Sequence, residues 1–181
     1  EEVTLQIRPG SLLIAHPVHA TLARSKQVVY ITESNNYSTT GLTLNNLGSY
    51  DLRELLARQN IDWYGDNRLY HGGDYNGSAM VMLHSDEWYS SNTMPVDNHL
   101  SISSDDVMME KLEMGNRPDW YRLFVGIEAW DQAELEHQVK RTNPKWIVLA
   151  KPSQALIELS DESLWHNALA EYSQDVFDSY F

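Results

Sequence analysis

Apolar residues in this chain recur in short runs, each closed by Gly, Pro, Asn, Asp or Ser. Runs of this kind predict eight strands, at 11–15, 27–32, 41–45, 68–71, 79–84, 99–103, 121–127 and 145–150. Val28-Val29-Tyr30-Ile31 and Trp146-Ile147-Val148-Leu149 are apolar throughout, the pattern of strands covered on both faces. Ser34-Asn35-Asn36-Tyr37-Ser38 reads as a hairpin loop between the second and third strands. The pattern puts Val29, Ile31, Leu42, Leu44, Val81, Leu83, Leu123, Val125, Ile147 and Leu149 in the core.

Helices announce themselves by their first turns. Asp51 with Glu54, and Asp131 with Glu134, have the spacing of a capping box, followed by Leu52, Leu55 and Leu56 in one case and Leu135 and Val139 in the other. Ser104-Asp105-Asp106 opens a third helix, with Val107, Met108 and Leu112 inward. Ser160-Asp161-Glu162 opens a fourth, with Leu164, Trp165, Ala168, Leu169 and Tyr172 on one face. Strands and helices mixed in this order predict an α/β (α+β) class: one compact domain, 1–181, with a mixed sheet and helices on its faces.

Composition narrows the chemistry. The 181 residues include no cysteine, which excludes disulfides, thiolate catalysis and cysteine-based zinc sites. A 42% hydrophobic content with six Trp and ten Tyr suits a packed globule. No apolar run approaches the ~20 residues of a membrane span and no signal-peptide pattern is present, so a cytoplasmic location is expected. The net charge is −13, concentrated in two stretches: 85–114 has seven acids and one Lys, and 158–181 has six acids and no Lys or Arg. Direct contact with nucleic-acid phosphates is disfavoured, and the two stretches are expected to present a shared negative surface. Lys140, Arg141, Lys145 and Lys151 form a small basic group that reads as a solvated helix end and strand edge.

Three segments carry the strongest family signal: Gly41-Leu42-Thr43-Leu44-Asn45-Asn46, His71-Gly72-Gly73-Asp74, and Gly126 followed by Trp130, Gln132, Leu135 and Glu136. With Ser11-Leu12-Leu13-Ile14-Ala15-His16-Pro17, with Ser25 to Glu33, and with Val81-Met82-Leu83-His84-Ser85, Trp146 and Leu164-Trp165, they follow the order of the bacterial YqgE/AlgH family, which the chain resembles over most of its length. The resemblance implies a compact domain of sheet and helix in a cytosolic protein of unknown or regulatory function. One branch is linked by name to alginate production. It supplies no agreed catalytic residue. The chain departs from the family pattern with Asn46-Leu47 where Arg-Pro is common, Asp74 where Pro is common, and Ser38-Thr39-Thr40 before Gly41.

Two functional readings compete. The first is a non-enzymatic protein acting by protein–protein contact through an acidic surface with a possible basic partner, with Trp88, Tyr89, Glu171, Asp175 and Asp178 at the contact. The alternative is a small-molecule-binding or hydrolytic enzyme whose cleft gathers Asn45, Asn46, His71, Gly72, Gly73, His84 and Ser85, polar groups at strand ends. His84-Ser85-Asp86 has triad residue types, but neighbours on a strand point to opposite faces and cannot form a triad alone. No metal or cofactor is expected: His16 and His19 flank Pro17 without a ligand set around them, and His71-Gly72-Gly73-Asp74 has no lysine to hold a phosphate. The paired glycines predict φ > 0 at Gly72 or Gly73.

Overall fold

The protein is described by a computed structural model over residues 7–19, 26–140, 142 and 144–181; Arg141 lies outside them. The chain divides into two compact units, 1–45 with 128–181, and 46–127, within what the pattern reads as one domain.

The first unit holds strands β1 (Leu12–Ala15), β2 (Val28–Ser34), β3 (Ser38–Thr43) and β10 (Trp146–Leu149), with the last residues of β9 (Tyr121–Asp131). They run in the order β10-β1-β2-β3-β9, each pair antiparallel. The β2–β3 loop is an Asx turn: the Asn35 side chain accepts from the backbone N–H groups of Tyr37 and Ser38 at 2.8 and 3.0 Å. Leu12, Leu13, Ile14, Val29, Ile31 and Leu42 are buried, as continuous apolar runs require. Gly41 is compulsory here. A Cβ on it would stand 2.8 Å from the Tyr30 carbonyl oxygen and 2.8 Å from a Val29 methyl.

Helices α3 (Gln132–Gln138), α4 (Gln154–Ile157) and α5 (Ser163–Tyr180) belong to this unit. Leu164, Trp165 and Ala168 bury the first half of α5, and the Trp165 Nε1–H donates to the Ala15 carbonyl at 2.9 Å. Asp131 was expected to cap α3, yet its side chain makes no capping bond. The hairpin turn takes that role, because the Gln132 N–H donates to the Tyr37 carbonyl at 2.9 Å. Pro17–His19 forms a single 3₁₀ turn in which the His16 Nδ1 accepts from the Val18 N–H at 3.2 Å.

The second unit holds β4 (Leu47–Asp51), β5 (Arg68–His71), β6 (Tyr75–Ser85), β7 (Met94–Asp97), β8 (Leu100–Ser103) and the first residues of β9. Their order is β4-β5-β9-β6-β8-β7, with β5 parallel to β9 and every other pair antiparallel. One sheet face carries Met82 and Leu123. Helices α1 (Leu52–Ala57) and α2 (Asp106–Glu113) close it with Leu52, Leu56, Met108 and Leu112. Trp63 and Trp88 complete that core.

Both helix starts here are capped as their sequences predict. The Asp51 side chain accepts from the N–H groups of Arg53 and Glu54. Asp105 accepts from Met108 N–H, Asn92 N–H and the Ser90 hydroxyl, each at 2.7 Å. Burial pushes the Asp105 carboxyl up, but these donors outweigh it and hold its pKa below the usual carboxylate range. A carboxyl depressed in the folded state adds stability above its unfolded pKa and loses it as pH falls. Asp105→Ala is expected to destabilise by about 2 kcal/mol, as a lost cap does, in urea unfolding at neutral pH, with the deficit shrinking in acid.

Of the ten expected core residues, eight are buried; Val125 and Ile147 are half-buried. The fold class is α+β with a mixed sheet, as read from the pattern. No helix among the described residues is long and apolar enough to cross a membrane.

Candidate functional site

The residues expected to share a cleft are not gathered in one place. β9 serves as the ruler. His71, at the end of β5, stands opposite Val125, whereas His84, near the end of β6, stands opposite Tyr121. Four residues along a strand separate these levels by roughly 13 Å, and β5 and β6 flank β9 on opposite sides. The sequence pattern does not show strand direction: β5 runs parallel to β9 and β6 antiparallel, so their ends point apart. Asn45 belongs to the first unit, where its side chain accepts from Val28 N–H and donates to the Lys26 carbonyl.

Asn46, His71, Gly72 and Gly73 are brought together. The Asn46 carbonyl accepts from His71 N–H at 2.8 Å, and Gly72 N–H donates to the Val125 carbonyl at 2.9 Å. His71 Nε2 lies 3.1 Å from an Asp74 carboxylate oxygen, with both side chains well exposed. The expected left-handed backbone at Gly72 or Gly73 is absent. Gly126 has it instead, with φ of +79°. A Cβ on Gly126 would lie 2.2 Å from the Gly73 carbonyl oxygen, so the conformational demand falls on the strand facing the glycine pair.

His84 sits at the buried head of a polar chain, running out to half-buried residues, that the sequence did not reveal. One ring nitrogen, Nδ1, lies 2.8 Å from the Ser85 carbonyl, and the other, Nε2, lies 2.7 Å from the Ser103 hydroxyl. The Ser103 oxygen is 2.7 Å from the Thr93 hydroxyl; Thr93 accepts from Ser90 N–H, and the Ser90 hydroxyl donates to Asp105. Proton positions follow by elimination. A carbonyl only accepts, so Nδ1 carries the hydrogen. With the ring neutral, Nε2 accepts, Ser103 donates to it, and Thr93 donates to Ser103. Burial depresses the His84 pKa below the ordinary imidazole value and outweighs the opposing pull of the Ser85 carbonyl, Glu87 and Asp86, which agrees with a neutral ring.

A serine donating to an imidazole held by a carbonyl has the connectivity of a nucleophile and its base. Here it serves the core. His84 and Ser103 are 0% and 1% exposed, and the imidazole packs edge-on against Trp88 at 5.1 Å. Ser85 is equally occupied: its oxygen accepts from Trp120 N–H at 3.0 Å while its hydroxyl lies 2.9 Å from a Glu87 oxygen.

The residues expected at a docking face also divide. Trp88 is buried, and its Nε1–H points to Asn116. Tyr89 is exposed, but the Lys111 ammonium lies 4.4 Å above its ring, so this aromatic is matched to a cation within the chain. Glu171 accepts from the Ser153 N–H at 2.8 Å and from the Ser153 hydroxyl at 2.5 Å, fastening the start of α4 to α5. Asp175 and Asp178 are exposed on the last turns of α5, beside Phe177, Tyr180 and Phe181, which are 57%, 79% and 92% exposed. Among the described residues no group of three His, Asp or Glu side chains is placed to hold a metal ion.

The strands and helices together make a mixed-sheet α+β fold with glycines at its strand ends. The chain belongs to the AlgH-like family, whose model matches residues 12–176. It is 24% identical over 163 residues to a UPF0301 protein of Methylococcus capsulatus, with 88% of each chain covered. It is 26% identical over 171 residues to one of Alcanivorax borkumensis, covering 91% of this chain and 89% of the relative. The solution structure of the AlgH protein from Pseudomonas aeruginosa superposes with a TM-score of 0.75 at 20% identity, covering 94% of this chain and 91% of that one. A crystal structure of protein DIP2367 from Corynebacterium diphtheriae gives 0.68, also at 20% identity, with 90% and 86% covered. At that identity the likeness speaks for the fold. The family is one of unknown function.

Proposed function

We propose that this protein works without catalysis, through protein–protein contact by an acidic surface, in the regulatory kind of role that its family resemblance implies. One observation carries the reading. Asp175 and Asp178 stand in water beside exposed aromatic side chains, while His84 and Ser85, nominated for a ligand cleft, are held by partners within the fold and stand apart from His71. Apolar surface with a charged rim is the composition of a recognition patch, and its sign selects a basic partner.

The test is partner capture from the native host followed by binding of the purified pair across a salt series. Asp175→Lys with Asp178→Lys is expected to slow association several-fold and to flatten its salt dependence, because exposed charges act chiefly on encounter. Glu171 is left unchanged, since reversing it would unfasten α4. Binding that is indifferent to both salt and charge reversal would return weight to a ligand-binding or hydrolytic role near His71.

A further inference from the structure

Asn76-Gly77 is the one place in the chain where asparagine precedes glycine; every other asparagine is followed by a residue that carries a Cβ. The pair lies in a part of β6 that the sheet does not hold in register. Tyr75 stands opposite Ile127 of β9 and Met80 opposite Val125, so Asn76, Gly77, Ser78 and Ala79 have only Gly126 across from them. On the other side, β8 begins its pairing with β6 at Met82. Asp74 through Ser78 are all exposed. The backbone explains Asn76, whose φ of +51° lies in the left-handed region that asparagine tolerates. It does not explain Gly77. That glycine has no positive φ, and a Cβ on it would meet nothing within 4 Å. The side-chain amides of Asn35, Asn45, Asn67 and Asn116 are tied down by hydrogen bonds, whereas none among the described residues holds that of Asn76.

We infer that Asn76 is a site of spontaneous deamidation in the folded protein, its neutral amide becoming a carboxylate. Asparagine is among the thermolabile residues, and its neighbour sets how fast it reacts. The deprotonated backbone nitrogen of Gly77 attacks Asn76 Cγ. The new N–Cγ bond closes a five-membered succinimide, the Cγ–Nδ2 bond breaks, and ammonia leaves. Solvent water then adds to one of the two ring carbonyls. Opening at Cγ gives aspartate; opening at the backbone carbonyl carbon gives isoaspartate, whose main chain runs through Cβ and Cγ. Ring closure requires the 76–77 peptide to rotate until its nitrogen meets the side chain. A Cβ on the following residue obstructs that rotation and a strand ladder resists it; glycine in an exposed bulge meets neither obstacle. Either product adds a negative charge two residues from Asp74, on a chain that already carries −13. Isoaspartate also lengthens the main chain by a methylene, at the bulge where β6 is out of step with β9.

The experiment holds the purified full chain in mildly alkaline buffer, both folded and in guanidinium chloride. Conversion is followed by peptide mass spectrometry with isoaspartyl methyltransferase labelling. Asn76 is expected to convert ahead of every other asparagine, and the folded chain to react within a few-fold of the denatured one. Gly77→Ala is expected to slow conversion at least tenfold, while the open space at that position leaves the fold intact. Strong protection of the folded chain relative to the denatured one would overturn the inference, as would earlier conversion at another asparagine. Equal rates in the parent and in Gly77→Ala would overturn the succinimide route.

Discussion

Gly126→Ala is expected to destabilise the protein by about 4 kcal/mol, far beyond the ~1 kcal/mol of an ordinary glycine replacement. Two penalties act at one atom. The backbone at Gly126 has φ of +79°, where a side chain is strained. The new Cβ would also meet the Gly73 carbonyl oxygen at 2.2 Å and the Tyr75 carbonyl oxygen at 3.3 Å. Neither obstacle is a side chain that can rotate away; both are backbone on a neighbouring segment. Relief therefore requires moving residues 73–75, where the β6–β9 register already shifts between Tyr75 and Met80. For a chain of this length the loss corresponds to a fall of roughly 10 °C in melting temperature. Gly77→Ala is the control: its Cβ would meet nothing within 4 Å, so it is expected to leave stability within about 1 kcal/mol of the parent. Equal effects at the two positions in urea unfolding would refute the account of Gly126.

His84→Ala is expected to cost about 3–4 kcal/mol, from a cavity beside Trp88 and from a buried Ser103 hydroxyl deprived of its acceptor. The wild-type residue also predicts a pH dependence, and its sign is definite. Burial holds the folded imidazole below its ordinary pKa of about 6.5. As pH falls through that value the unfolded chain takes up a proton that the folded chain does not. The unfolded state then binds more protons, so stability declines with falling pH from about 6.5 until the folded-state pKa is reached, and levels off below it. Carboxylates depressed by their donors, Asp105 among them, add their own losses only nearer pH 4. His84→Gln keeps an amide that can bond Ser103 and removes the titration. Its stability should be flat between pH 7 and pH 5 where the parent's falls; parallel pH profiles would defeat the assignment.

The same two residues show what sequence can and cannot disclose. Gly72-Gly73 and Gly126 each stood out as glycine at a strand end, and the need for glycine was real. Which of them bears the positive φ depends on how β5, β6 and β9 are aligned, and that alignment is not written in any one segment. His84 and Ser85 stood out as polar residues ending an apolar run. Their partners Ser103, Thr93 and Ser90 did not, because single hydroxyls in β8 and in a loop have no periodic signature until the β6–β8 register places them.

The fold was more legible where it is buried. Every expected strand is present, since a covered strand must be apolar. The two strands not anticipated, β4 and β7, lie at the sheet's margins with mostly exposed side chains, and LGSYD and MPVD carry no apolar run. α4 is a single turn of four residues, shorter than a helical period pattern can show. Helix starts were readable from Asp51 and Asp105. Asp131 looked the same and was bypassed, because the hairpin loop supplies a carbonyl at that spot.

Pro95 lies in β7, the last strand of its unit's sheet. A terminal strand is a template on which another chain can add, and so a route to fibrous aggregates. Proline, here opposite Ser101 of β8, contributes no N–H to such a ladder. Its presence makes β7 a poor seed for cross-β growth. Crowded or heated samples of Pro95→Thr should form thioflavin-positive material sooner than the parent, at little change in unfolding free energy. Proline here acts on colloidal lifetime more than on the fold itself.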